Sequence, residues 1–167
     1  MLTVLQGSQN WFIILPGGAF HCRDLLVEEC FLSRVINPEG AGKDRARLTK
    51  SIVLAMRELM RQPEPDDHSR DLAAYIALAL LQVHQTIETS VSAWEKKGYW
   101  VKADRFRMEW AWSETLGNQM REAVLNDDWG TIAMTVAKVG GRLNGVDVPV
   151  RHKLGTPWEG AYRHLTK

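Results

Sequence analysis

Residues 67–97 read DHSRDLAAYIALALLQVHQTIETSVSAWEKK, and this stretch contains neither glycine nor proline. Large apolar residues recur along it at steps of three and four, which is the period of one face of an α-helix. The residues of this stripe are Leu72, Ile76, Leu80, Val83, Ile87, Val91 and Trp94. Because an apolar stripe must be covered by partner helices, the sequence predicts an all-α packed domain around one long helix.

Turn and cap signals on both sides of this stretch predict further helices. Glycine and proline clusters separate the apolar-periodic runs, which predicts additional helices over residues 20–36, 44–62, 100–125 and 129–143. Aspartates stand before two of the predicted helices, at positions where a carboxylate can cap the first turn. The sequence therefore predicts a bundle of about five helices over residues 19–145.

The two ends of the chain differ from this bundle. Residues 1–18 hold two β-prone runs separated by a polar turn, which predicts a short β-hairpin or an extended arm. Prolines and glycines in residues 146–167 exclude a long helix, so we expect an irregular tail that docks through Trp158 and Tyr162. Arm, bundle and tail together predict a single domain over residues 1–167.

Composition narrows the possible partners. The chain has 167 residues, 45% of them apolar and 25% charged, and its formal net charge is +1. Since this charge is small, nucleic acid is not expected as a partner, although bases and aromatic residues alternate within 96–107. The one unusual feature of the composition is its seven tryptophans. A core of helices packed through large aromatic side chains, a protein interface or a flat ligand would each account for them.

The N-terminal residues indicate the cellular compartment of the protein. Cys22 and Cys30 fall on one predicted helix, about 12 Å apart along its axis, which is too far for a disulfide bond. A sparse, reduced pair of this kind is typical of a cytoplasmic protein. The longest N-terminal apolar run, residues 11–15, is too short to span a bilayer and lacks a basic flank. We therefore expect a cytoplasmic chain without membrane contact or processing.

Candidate catalytic and metal-binding residues are few. His84 and Glu88 lie one turn apart beside the long apolar stripe and could hold a metal or line a ligand pocket. The chain has no Glu-x-x-His pair, the signature of di-iron bundles, so a hydrogen-bonded histidine at the core edge is favoured over a metal site. His21 and Cys22 could form an enzyme centre, but no orienting group completes it. The sequence indicates no particular cofactor and assigns no catalytic residue.

Residues 98–112, GYWVKADRFRMEWAW, are the strongest candidate for function. Along the predicted helix 100–125 one apolar face carries Val101, Met108, Trp112, Leu116 and Met120, and another carries Phe106 and Trp110. So many aromatic residues exceed what one helix face can bury within the chain.

Tryptophan and arginine dominate protein interfaces, which favours a non-enzymatic interaction module that forms a homodimer. The candidate interface or ligand-binding residues are Tyr99, Trp100, Arg105, Phe106, Trp110 and Trp112. A small-ligand or cofactor-binding bundle with Trp110, Trp112 and His84 around a pocket is the alternative.

Overall fold

The structure is a computed structural model that describes residues 40–149 and 153–167. The predicted N-terminal hairpin or arm and the predicted helix 20–36 lie outside these residues. The described residues form the helices α1 (Ala41–Leu59), α2 (Asp67–Glu95), α3 (Trp100–Trp110), α4 (Trp112–Leu125), α5 (Trp129–Arg142) and α6 (Ala161–Leu165). They include no strand, so the mainly helical prediction is confirmed for this part of the chain.

Helix α2 is the central element, because it contacts α1, α3, α4 and α6. It begins after Asp66, whose carboxylate accepts a hydrogen bond of 2.7 Å from the Ser69 backbone N–H and so caps the first turn. The chain leaves the helix through Gly98, whose φ of +79° is favourable only for glycine. The predicted apolar stripe is buried from Leu72 to Val91. None of the described helices is both long and apolar enough to cross a membrane.

The main core lies between α2 and helices α1, α4 and α5. Helices α2 and α4 approach closely at Gly117, where an added Cβ would lie 3.1 Å from the Leu81 side chain. Gly140 on α5 similarly faces the end of the Met56 side chain on α1, whereas Gly141 has open space beside it. Small residues at these points let the helix backbones come together and bury the larger residues around them.

The predicted continuous helix 100–125 is wrong at Ala111, where α3 ends and α4 begins. The hydrogen bond from the backbone N–H of Ala111 to the Met108 carbonyl is long, at 3.5 Å. The hydroxyl of the buried Ser113 donates a shorter hydrogen bond, of 2.8 Å, to the Trp110 carbonyl. At this break the rings of Trp110 and Trp112 stack, with their centroids 5.7 Å apart. Residues two apart on an unbroken helix point to opposite sides and could not stack in this way.

The C-terminal tail docks on α2, as Trp158 and Tyr162 predict. Trp158 is buried and meets the Tyr75 ring edge-on, at a centroid distance of 6.4 Å. The Asp71 carboxylate on α2 accepts hydrogen bonds of 2.9 Å from the backbone N–H groups of Gly160 and Tyr162. These groups stand at the N-terminus of α6, so the prediction of a wholly irregular tail is wrong over Ala161–Leu165.

Candidate functional site

Helix α3 rests on α2 through a narrow face. Ala103 is the only buried residue of α3, and it packs against Ile87 and Val91 of α2 in a small second core. Phe106 and Trp110 are half-buried and complete this contact. A short side chain at position 103 brings the two backbones together, so most of the α3 surface points away from the bundle.

An ion-pair clamp fixes α3 on α2. The Arg107 guanidinium donates to Glu88 at 3.2 Å and to Glu95 at 3.1 Å, and these carboxylates are separated by about two turns of α2. The hydrogen bonds to Glu88 and Glu95 raise the pKa of Arg107 above its ordinary value. A planar guanidinium with two carboxylate partners restricts rotation of α3 about its own axis, because each bond requires a defined direction.

A row of four aromatic rings runs along the junction of α2, α3 and α4. Successive centroids of Trp94, Phe106, Trp110 and Trp112 are 5.1, 6.4 and 5.7 Å apart. These spacings are those of attractive aromatic pairs, so much of the predicted Trp-rich segment contributes to packing within the chain.

Cations cover two faces of this row. The Arg45 guanidinium carbon lies 4.9 Å from the centre of the Phe106 ring, and Lys102 Nζ lies 4.2 Å from the centre of the Trp94 ring. Burial lowers the pKa of Arg45, while the nearby Glu109 carboxylate opposes that effect. These cations shield the internal rings from solvent, so the row is not an open binding surface along its whole length.

Helix α3 and the residue before it expose four large apolar side chains, which we call the α3 patch. It consists of Tyr99, Trp100, Val101 and Met108, with exposed fractions of 57%, 63%, 76% and 66%. Other large exposed apolar residues of the described chain are Met60, Leu125 and Met134, each of which lies on or directly after a different helix.

An open groove of about 660 Å³ borders the patch, between the end of α2 and the start of α3. Its lining includes Trp94, Trp100, Arg105, Phe106 and Glu109. Aromatic rings therefore form part of the groove wall, and charged groups of both signs stand beside them.

The sequence-predicted interface residues divide into two groups. Tyr99, Trp100 and Arg105 are exposed, whereas Phe106, Trp110 and Trp112 are half-buried among helices of the same chain. Sequence reasoning missed the exposure of Val101 and Met108, which it placed on one apolar face with the buried Leu116 and Met120. The steps of three and four residues between Ala103, Phe106 and Trp110 could have identified the buried face of α3, because residues at this spacing share one side of a helix.

The predicted ligand-pocket residues have other partners. Glu88 belongs to the Arg107 clamp, and His84 Nε2 lies 3.8 Å from a carboxylate oxygen of Glu114 on α4. Within residues 40–149 and 153–167, no three His, Cys, Asp or Glu residues are grouped as metal ligands would be. The alternative enzyme centre at His21 and Cys22 lies outside the described residues and stays a prediction.

No protein-family model, curated protein or solved structure matched this chain in the comparisons made.

Proposed function

We propose that this protein is a cytoplasmic, non-enzymatic interaction module that forms a homodimer through the α3 patch. The observation that carries the proposal is the exposure of four large apolar residues on α3 or directly before it, Tyr99, Trp100, Val101 and Met108. Monomeric proteins rarely expose several large apolar residues together, and such clusters mark interaction surfaces. Tyrosine, tryptophan and methionine are also the residue types enriched in interfaces.

The support beneath the patch favours binding as well. Arg107 holds α3 in place through Glu88 and Glu95, and Phe106 and Trp110 pack beneath the helix. A surface that is already rigid loses little conformational entropy when it binds, so more of its contact energy contributes to affinity.

A small-ligand function is the second candidate, and the groove beside the patch favours it. A volume of about 660 Å³ falls within the usual size range of ligand sites, and the aromatic residues Trp94, Trp100 and Phe106 line the groove. The groove is open rather than enclosed, however, and a drug-sized ligand would keep much of its surface in water. This geometry therefore favours a protein partner over a tightly held small molecule.

Native mass spectrometry of the freshly purified protein tests both candidates in one experiment. We expect the mass of a dimer without additional mass, and we expect Trp100→Ala combined with Met108→Ala to shift the population to monomer. Met134→Ala is the matched control, because Met134 is similarly exposed but stands on α5. Trp110 and Trp112 are unsuitable test positions since their replacement would also damage packing.

A monomer at every concentration would contradict the proposal, as would a dimer unaffected by the double substitution. An additional mass that disappears on denaturation would instead support the ligand-binding candidate.

A further inference from the structure

Helix α1 carries a line of cations along the side that faces away from the core. Positions 43, 47, 50, 54 and 57 follow alternating steps of four and three residues, so at about 3.6 residues per turn they fall within an arc of about 80°. Four of these positions hold exposed cations, which we call the basic line: Lys43, Arg47, Lys50 and Arg57. The fifth position holds the half-buried Leu54, and the fully buried Ile52 stands on the opposite side of the helix.

The cations of the basic line are not paired with carboxylates in the part of the chain that the structure describes. Three of them take part in no ion pair there, and Arg57 donates a hydrogen bond of 3.3 Å to the neutral carbonyl of Val148. The two acids of α1 lie outside the arc, and one of them, Glu58, pairs with Arg61 at 3.3 Å. Because Asp147 directly precedes Val148, the first half of α1 is the more positive part.

The basic line shows that the charge of the chain is unevenly distributed. The formal net charge is only +1, and for that reason composition alone does not predict a nucleic-acid partner. The line nevertheless sets four positive charges along about 21 Å of one helix face. Carboxylates more than about 10 Å away are screened at ordinary salt, so they do not cancel the positive potential along this face.

We propose that the basic line binds the phosphate backbone of double-stranded nucleic acid without reading its sequence. A straight row of about 21 Å spans about six phosphates of one strand at a rise of about 3.4 Å each. Each phosphate that a lysine or arginine neutralises releases condensed counterions, and this release supplies the affinity of sequence-independent binding. The proposal concerns a different helix from the α3 patch and goes beyond the homodimer.

The residues of α1 favour a duplex over other anionic partners. Single strands bind through aromatic side chains on which bases stack, and α1 contains no aromatic residue. A helix that lies on a membrane buries its apolar face in lipid, whereas the apolar face of α1, with Ile52 and Met56, is buried in the core of this chain. Protein interfaces have an apolar centre that is poor in lysine, and the basic line has no exposed apolar residue.

Salt-dependent binding to a labelled duplex tests the proposal, with fluorescence anisotropy of a DNA duplex of about 20 base pairs and mixed sequence. We expect a Kd on the order of micromolar at about 50 mM salt. The logarithm of the affinity should fall with the logarithm of the salt concentration with a slope of about −3 or steeper, since B-DNA contributes about −0.9 for each neutralised phosphate. The same strand without its complement should bind more weakly.

Two variants with the same change in net charge show whether the basic line is responsible. Arg47→Gln combined with Lys50→Gln should raise Kd about tenfold or more at low salt and make the slope shallower by about two. Lys138→Gln combined with Arg142→Gln is the control, because both cations are exposed on α5 without an ion pair in the described chain, and its Kd and slope should match those of wild type. Glutamine is a good helix former, so all four positions tolerate it.

The outcomes separate the basic line from general attraction by charge. Loss of affinity and slope in the α1 variant, with both retained in the α5 control, would support the proposal. Equal weakening in the two variants would overturn it, as would a wild-type protein that does not bind the duplex at low salt. Tighter binding to the single strand, or binding to vesicles with anionic lipid but not to the duplex, would also overturn it. None of these results depends on the α3 homodimer.

Discussion

Replacing Gly117 with alanine should destabilise the protein, although alanine is the better helix former. An added Cβ would lie 3.1 Å from Cγ and Cδ2 of Leu81 and 3.2 Å from Cβ of Leu80. Unstrained carbon atoms stay about 3.5–4.0 Å apart, so the new methyl group overlaps its neighbours. The Leu81 side chain can rotate away, but the Leu80 Cβ is fixed to the α2 backbone and cannot move without shifting the helix.

The expected magnitude follows from two opposing contributions. Overpacking a core costs about 1–3 kcal/mol of unfolding free energy, whereas Gly→Ala inside a helix gains about 1 kcal/mol. The same substitution at Gly141 has only the favourable contribution, because nothing lies within 4 Å of its added Cβ. Gly117→Ala should therefore be less stable than Gly141→Ala by about 1–3 kcal/mol.

Urea unfolding followed by circular dichroism measures this difference directly, provided that the two variants show the same dependence on denaturant. Equal unfolding free energies for Gly117→Ala and Gly141→Ala, or a more stable Gly117→Ala, would refute the close approach of α2 and α4. A difference of the expected size would locate that approach at Gly117.

Two further predictions concern caps. Asp71→Ala should speed hydrogen exchange at the amides of Gly160 and Tyr162 and cost about 2 kcal/mol of stability, since it removes the acceptor of both N–H groups; unchanged exchange would contradict the docking of α6. Hydrogen bonds from the Ser69 N–H and hydroxyl hold the pKa of Asp66 below its ordinary value of 3.8. The stability from this cap is therefore present above pH 3.8 and lost as the pH falls through the lower folded pKa. Acid unfolding curves should show wild type losing stability relative to Asp66→Asn, which caps without titrating, and parallel curves would count against this cap.

Local signals were sufficient to predict the central helix. The Asp66 cap, the unbroken apolar period and Gly98 all lie in or beside α2 itself, and its observed end at Glu95 is two residues from the predicted one. Helix α1 was predicted less well, because its start at Ala41 follows a glycine-rich connection rather than a side-chain cap. Sequence periodicity therefore locates a helix well where cap and stripe agree.

The features that the sequence did not predict depend on contacts between residues distant in the chain or on how side chains pack in the folded protein. Nothing local marks a helix end at Ala111, since alanine is the best helix former, and the stacking of Trp110 on Trp112 that accompanies the break is a feature of packing. At the N-terminus of α6 the backbone N–H of Gly160 donates a hydrogen bond to Asp71, which stands 89 residues earlier in the chain. The Trp-rich segment was correctly identified as an aromatic cluster, but periodicity alone did not show which of its residues face outward.

The measurement that tests the α3 interface most directly is oxidative footprinting of Trp100 and Met108 over a range of protein concentrations. Both side chains are exposed in the single chain, and Met134 on α5 serves as an internal standard for the radical dose. We predict that oxidation of Trp100 and Met108 falls as the concentration rises through the dimer Kd, while that of Met134 stays constant. Oxidation of all three residues that is independent of concentration would contradict the interface.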